Sequence, residues 1–153
     1  MSAVEDRLRE KGLALPEPAA PVANYAPFVV SGGVVYVSGQ VSFGPDGLIA
    51  GVVGRDLGLD EAVKAAEACG LNLIAQVKAA CDGDLDRVRR VVKLTGFVNC
   101  GADFTDHPKA INGASDLMVA AFGDIGRHAR AAVGAPSLPL GAAVEVDGIF
   151  EIV

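Results

Sequence analysis

The residue whose type and setting most invite chemistry is an arginine, Arg130, in the segment Arg127-His128-Ala129-Arg130. The residues that follow it, Ala131, Ala132 and Gly134, are small and leave room for a ligand beside its side chain. The loop before it holds Gly123 and Gly126, residues that let a backbone approach a ligand closely. A guanidinium offers a planar fork of donors suited to a carboxylate or a phosphate. The same pattern also fits a structural salt bridge or a solvated surface arginine. Glu145 is the acidic companion. A carboxylate held near a substrate can act as a general base on water. Alternation along a strand would equally expose it, as it does Asp147 and Glu151.

The other candidates are weaker. His107 and His128 are the only histidines. They do not stand at metal-ligand spacing with each other or with a cysteine, so no metal site is expected. His128, close to Arg130, could line a pocket or be a plain loop histidine. Ser38, in Val37-Ser38-Gly39-Gln40, ends a strand; its hydroxyl could touch a ligand or cap the chain turn. Gly51-Val-Val-Gly54-Arg-Asp-Leu-Gly58 precedes a helix but lacks the spacing and Lys-Ser/Thr of a phosphate-binding loop and the G-x-G-x-x-G fingerprint. No serine stands in a G-x-S-x-G elbow.

These residues need a scaffold, and the composition bounds it. A chain of 153 residues is one domain's length. Apolar residues make up 51% and charged residues 21%, an apolar lean against roughly 45–50% and 25% in typical domains. No apolar run reaches the roughly 20 residues of a membrane helix. The surplus apolar surface is therefore expected between subunits. Net charge is −6, from 13 Lys+Arg against 19 Asp+Glu. A general nucleic-acid binder needs a positive field, so that class is disfavoured. Cys69, Cys81 and Cys100 are odd in number and widely spaced, which fits free thiols in a reducing compartment rather than a disulfide framework. The charged N-terminal segment has no apolar core of a signal peptide, and the cytoplasm is the expected location.

The pattern predicts a short helix over Val4 to Lys11, then an extended arm from Leu15 to Pro27 with four prolines. Residues 1–21 thus read as a helix and proline-rich arm, and 22–153 as a single domain. Phe28 to Ser31 and Val34 to Ser38 read as a hairpin about Gly32-Gly33, continuing through Val41 to Phe43 and the Gly44-Pro-Asp-Gly47 turn as a meander of three or four strands. Asp60 to Cys81 is the clearest helix, with Ala62, Ala66, Cys69, Leu73 and Val77 on one stripe. Val88 to Cys100 reads as a long strand with Val92, Leu94, Gly96 and Val98 on an apolar face and Val91, Lys93, Thr95, Phe97 and Asn99 on the other. A second helix spans Pro108 to Phe122, and Ala129 to Val133 and Ala142 to Val153 are the last strands. Strands run consecutively before the first long helix, which argues for an α+β fold. Two helices on one sheet face leave the other face needing cover, a second reason to expect an oligomer.

Several segments together resemble the Rid/YjgF superfamily of reactive-intermediate imine deaminases, also known as the endoribonuclease L-PSP type. They are Val35-Tyr-Val-Ser-Gly-Gln40, Arg90-Val-Val-Lys-Leu-Thr-Gly-Phe-Val98, and Ala129-Arg130 followed by Ser137-Leu-Pro139 and Val144-Glu-Val146. Their order and spacing match the family over about residues 22–152, and Asn112-Gly-Ala-Ser-Asp116 resembles a less-characterised subgroup. The resemblance implies a chorismate-mutase-like α+β fold with two main helices on one sheet face. It implies a homotrimer with a central barrel and three clefts between subunits. It implies that Arg130 holds a substrate carboxylate, that Glu145 positions the attacking water, and that Tyr25, Ser38 and Asn112 line the cleft, with His128 beside them. The expected reaction is hydrolysis of 2-imino and 2-enamino acids to 2-keto acids and ammonia, without a cofactor. An imine carbon is already electrophilic, so holding the carboxylate and aiming a water is most of the task. A non-catalytic sensor of small acids and a ribonuclease or translation inhibitor are the alternatives. The chain departs from the family where His128-Ala129 stands in the place of a usual proline, and where Ala132 replaces a cysteine.

Overall fold

Gly32 and Gly33 carry φ of 58° and 74°, the left-handed pair that a two-residue hairpin turn requires. They join β1 (Phe28–Ser31) to β2 (Val34–Val41), with Ser31 opposite Val34. This is a computed structural model, and it describes residues 1–21 and 23–153. Val22, where the sequence pattern begins the main domain, lies outside the described residues. The remaining elements are α1 (Ala3–Glu10), β3 (Phe43–Gly44), β4 (Gly47–Leu48), α2 (Leu59–Ala80), β5 (Val88–Asn99), α3 (His107–Phe122), β6 (Ala129–Ala135) and β7 (Val144–Ile152). The chain is α+β, as its pattern of elements predicts.

The main sheet has five strands in the order β1-β2-β7-β5-β6. Only β5 and β6 are parallel; the other neighbours are antiparallel. A parallel pair needs a long crossover, and α3 supplies it. The last strand, β7, inserts between β2 and β5, and its residues alternate buried and part-exposed along the strand.

Two expectations are corrected. The meander does not extend past β2. Ser42 interrupts it: its buried hydroxyl donates to the Ile49 carbonyl at 2.8 Å, and the Ile49 amide donates to the Ser42 backbone carbonyl at 2.9 Å. β3 and β4 then form a separate two-stranded ribbon about the Gly44–Gly47 turn. The faces of β5 are also not those of plain alternation. The pairing with β7 shifts between Val91 and Lys93, so Val91 is fully buried and Val92 is 39% exposed. A bulge adds one residue to one strand and reverses the side-chain faces beyond it.

The helices cover one face of the sheet. α2 buries Leu73, Ile74 and Val77 completely, each worth about 1.5–3 kcal/mol of transfer free energy. α3 packs on α2 through Ala114 and Leu117, which lie against Gly70. Val4 and Leu8 of α1 join the same core. α1 is started by a capping box between Ser2 and Glu5, and the Glu5 carboxylate also pairs with Lys78 of α2. The opposite sheet face carries Tyr36, Ile149, Phe97 and Val133. They are partners in register across the strands, and Tyr36 and Val133 are nearly half exposed. Among the described residues, no helix is long and apolar enough to cross a membrane.

Candidate functional site

Arg130 lies near the start of β6, paired with the buried Leu94 of β5. In register partners share a face, so Arg130 points to the helical side of the sheet. There it meets α3. Its Nη1 donates to Asn112 Oδ1 at 2.8 Å and to Ser115 Oγ at 3.1 Å, and its Nη2 donates to the Pro108 carbonyl at 3.3 Å. Asn112 and Ser115 stand three apart, on one helix face. All three partners are neutral. Among the described residues no carboxylate pairs with Arg130. Of five guanidinium donors, three are used in this way. Nε–H and one Nη2–H remain, enough to hold one carboxylate.

His128 joins this cluster through Ser115. Its Nε2 lies 2.8 Å from Ser115 Oγ and its Nδ1 lies 2.6 Å from the Gly126 carbonyl. Ser115 is the residue that sequence reasoning did not single out. The three-residue step from Asn112 is the signal that points to it. The glycine before the histidine serves packing, not ligand approach: a side chain at Gly126 would run into the Met118 carbonyl of α3.

Glu145 lies on the other side of the sheet. It is paired with Phe97 of β5 and Val41 of β2, and its neighbours Val144 and Val146 are buried against the helices. Burial pushes its carboxyl above the usual range, and the nearby Asp147 adds to the rise. The β2–β7 pairing is irregular between Val37 and Gln40, and the Glu145 carboxylate occupies the space left by the missing side chain of Gly39. Glu145, Gly39 and Tyr25 line an open cleft of about 810 Å³. Leu15, Pro16 and Pro21 of the arm and Leu140 form much of its apolar wall. Ser38 Oγ donates to the Ala26 carbonyl at 2.7 Å, tying β2 to the arm.

The six residues thus fall into two groups. Arg130, Asn112 and His128 are brought together at the β6–α3 edge. Tyr25 and Glu145 share the cleft, with Ser38 beside Gly39 at its margin. The expected pairing of Arg130 with Glu145 does not occur within one copy. The remaining histidine, His107, places its Nε2 3.4 Å from Cys100 Sγ and its ring edge-on to Phe104. All three cysteines are free and buried.

Residues 5–151 match the family model described as "YjgF/chorismate_mutase-like, putative endoribonuclease". The chain is 48% identical over 151 residues to Protein TCP17 of Trypanosoma cruzi, covering 97% of this chain and 94% of that protein. Its fold is similar to the crystal structure of Atu1372 from Agrobacterium tumefaciens, a protein of unknown function. The TM-score is 0.93 at 49% identity, covering 99% of this chain and 93% of that one. It is also similar to RidA from an Antarctic Psychrobacter, with a TM-score of 0.56 at 29% identity, covering 89% and 94%. With a family model matched over residues 5–151 and a relative 48% identical across 97% of this chain, the chain belongs to the YjgF/chorismate-mutase-like family.

Proposed function

We propose that the protein is a cofactor-free deaminase that hydrolyses reactive 2-imino and 2-enamino acids to 2-keto acids and ammonia. The observation that carries this reading is the state of Arg130. It is a cation braced by three neutral acceptors, with no acidic partner among the described residues and two donors free. A structural salt bridge would have used a carboxylate; this arrangement leaves the charge for a ligand.

In the proposed reaction Arg130 holds the substrate carboxylate and so fixes C2. An enamino acid first takes a proton from solvent at C3, as an imino acid does at nitrogen, and either gives the protonated imine. Glu145 accepts a proton from water as the water oxygen bonds to C2 and the C=N π electrons move to nitrogen. That proton then passes to the amine nitrogen, the C–N bond breaks and ammonia leaves, and the C2 hydroxyl gives its own proton back to the Glu145 carboxylate as it becomes the keto oxygen. A carboxyl pushed up by burial is a better proton acceptor than an exposed one. Oriented binding supplies much of the rate.

Arg130 and Glu145 lie on opposite sheet faces, so one substrate can meet both only if they come from different copies. We therefore place the site between protomers of a homotrimer, with the uncovered sheet face turned inward. Tyr36, Phe97, Val133 and Ile149 on that face support this assembly. The three free cysteines suit a cytoplasmic setting.

The test is turnover of freshly generated 2-aminoacrylate by wild type and Arg130→Ala. The expected result is release of keto acid and ammonia by wild type and its loss in the variant. Equal rates in the two, or none in either, overturns the reading. Binding of 2-keto acids without turnover would select a small-acid sensor instead.

A further inference from the structure

We propose that Ser115 and His128 are positioning residues that form a one-way hydrogen-bonded brace behind Arg130 and set its affinity for a carboxylate. The proposal rests on the reading of Arg130 as an anion-binding residue, and deepens it.

With a neutral imidazole at His128, the direction of every bond in the brace follows from chemistry. A guanidinium can only donate, so Arg130 Nη1 gives a hydrogen to Ser115 Oγ. A hydroxyl has one hydrogen, and His128 Nε2 lies 2.8 Å from that oxygen. A carbonyl can only accept, so the 2.6 Å contact between His128 Nδ1 and Gly126 requires the hydrogen on Nδ1. A neutral imidazole with Nδ1–H has its lone pair on Nε2, free to accept from Ser115. The chain therefore runs from Arg130 to Ser115 to His128 to the Gly126 carbonyl with no conflict. Each bond polarises the next.

The far end is fixed. Gly126 is buried in a single 3-10 turn, Gly123–Gly126, too close to the Met118 carbonyl and Val119 of α3 for any side chain. The same helix carries Ser115 and Asn112. Both ends of the brace are therefore tied to one rigid element, and the long arginine side chain is held before a ligand arrives. Ordering a site in advance raises affinity because less freedom is lost on binding. A carboxylate in place of Ser115 would hold the arginine as firmly, but it would neutralise it. The serine–histidine pair gives support without a counter-charge.

The experiment compares wild type, Ser115→Ala, His128→Ala, the double variant and His128→Gln. The readouts are calorimetric binding of 2-ketobutyrate, an unreactive carboxylate, and kcat and KM for the imine. Each alanine variant should weaken ketobutyrate binding about tenfold, the scale of one hydrogen bond to a charged group. KM should rise by a similar factor with kcat nearly kept. The double variant should be little worse than either single, because a chain broken once is already broken. His128→Gln, whose amide oxygen can accept from Ser115, should recover much of the loss. Ser115→Thr, which keeps the hydroxyl, serves where the alanine variant fails to fold and should bind as wild type does. Wild-type affinity in both alanine variants, or losses that multiply in the double, overturns the brace while leaving Arg130 as the anion site. Absence of ketobutyrate binding by wild type itself overturns both.

Discussion

Arg130 and Glu145 project from opposite faces of one sheet, separated by strand β5 and offset along it. Arg130 is in register with Leu94, and Glu145 with Phe97. With about 4.8 Å between strands and about 3.3 Å per residue, their backbones are roughly 14 Å apart. No side-chain rearrangement in one copy brings a guanidinium and a carboxylate together through a packed sheet. A shared substrate needs two copies.

Subunit complementation follows from this. Arg130→Ala and Glu145→Gln should each be inactive alone. Refolded together from an equal mixture, about a quarter of the clefts would combine an intact arginine with an intact glutamate. Ammonia release should return to about that fraction of wild type. A mixture as inactive as its parents would place both residues in one copy's site or in none.

The acid limb of the activity profile should report Glu145. Its carboxyl is raised by burial first and by Asp147 second. As a base it works ionised, so kcat should fall as pH drops through a value above the ordinary glutamate range. Linkage gives the stability side: the folded form holds this proton more tightly than the unfolded form, so stability declines as pH rises through that window. Glu145→Gln should therefore raise the melting temperature at neutral pH, with little effect at about pH 4.

Gly39→Ala should separate catalysis from folding. A methyl group there meets the Glu145 carboxylate rather than backbone. The carboxylate can swing aside, so the melting temperature should hold. The water would then be misaimed, and kcat should fall about tenfold or more while KM for the carboxylate substrate is nearly kept.

The uncovered sheet face should be the seam of the assembly. Val133 is 45% exposed on it and is paired with Phe97. Val133→Lys should shift the protein toward monomer in light scattering. Turnover should fall with it, although Arg130 and Glu145 are untouched.

α1 should undock in acid before the rest of the fold. The Glu5 carboxyl is held at about 2 by its hydrogen bond to Lys78 and then by the Ser2 backbone amide, from an ordinary 4.5. That stabilisation is complete above the ordinary value and is lost as pH falls toward the depressed one. Amide exchange in Ala3–Glu10 should accelerate over this range, and Glu5→Gln should make it fast at neutral pH.

Local chemistry made much of the fold legible. The Gly32-Gly33 turn, the apolar stripe of α2 and the alternation of Val144, Glu145, Val146 and Asp147 each follow from periods and dihedrals that a few neighbouring residues impose. They reappear within a residue or two of the expected bounds. The face reversal at Val92 was not legible, because a bulge is decided by the partner strand β7, more than fifty residues away along the chain. The end of β2 at Ser42 was hidden for the same reason: its hydroxyl has a partner in Ile49, and side-chain type alone does not name it.

For Arg130 the division is sharper. By itself the sequence determined that an arginine stands among small residues, and the family resemblance assigned it a ligand. Whether its charge is already matched depends on what α3 lays beside it. That is set by a crossover connection, and no local rule specifies which helix face meets which strand. Only the tertiary structure decided that Asn112, Ser115 and the Pro108 carbonyl hold the guanidinium without neutralising it. It alone put Arg130 and Glu145 on opposite faces of the sheet with β5 between them, because strand order and register are collective properties of the whole chain.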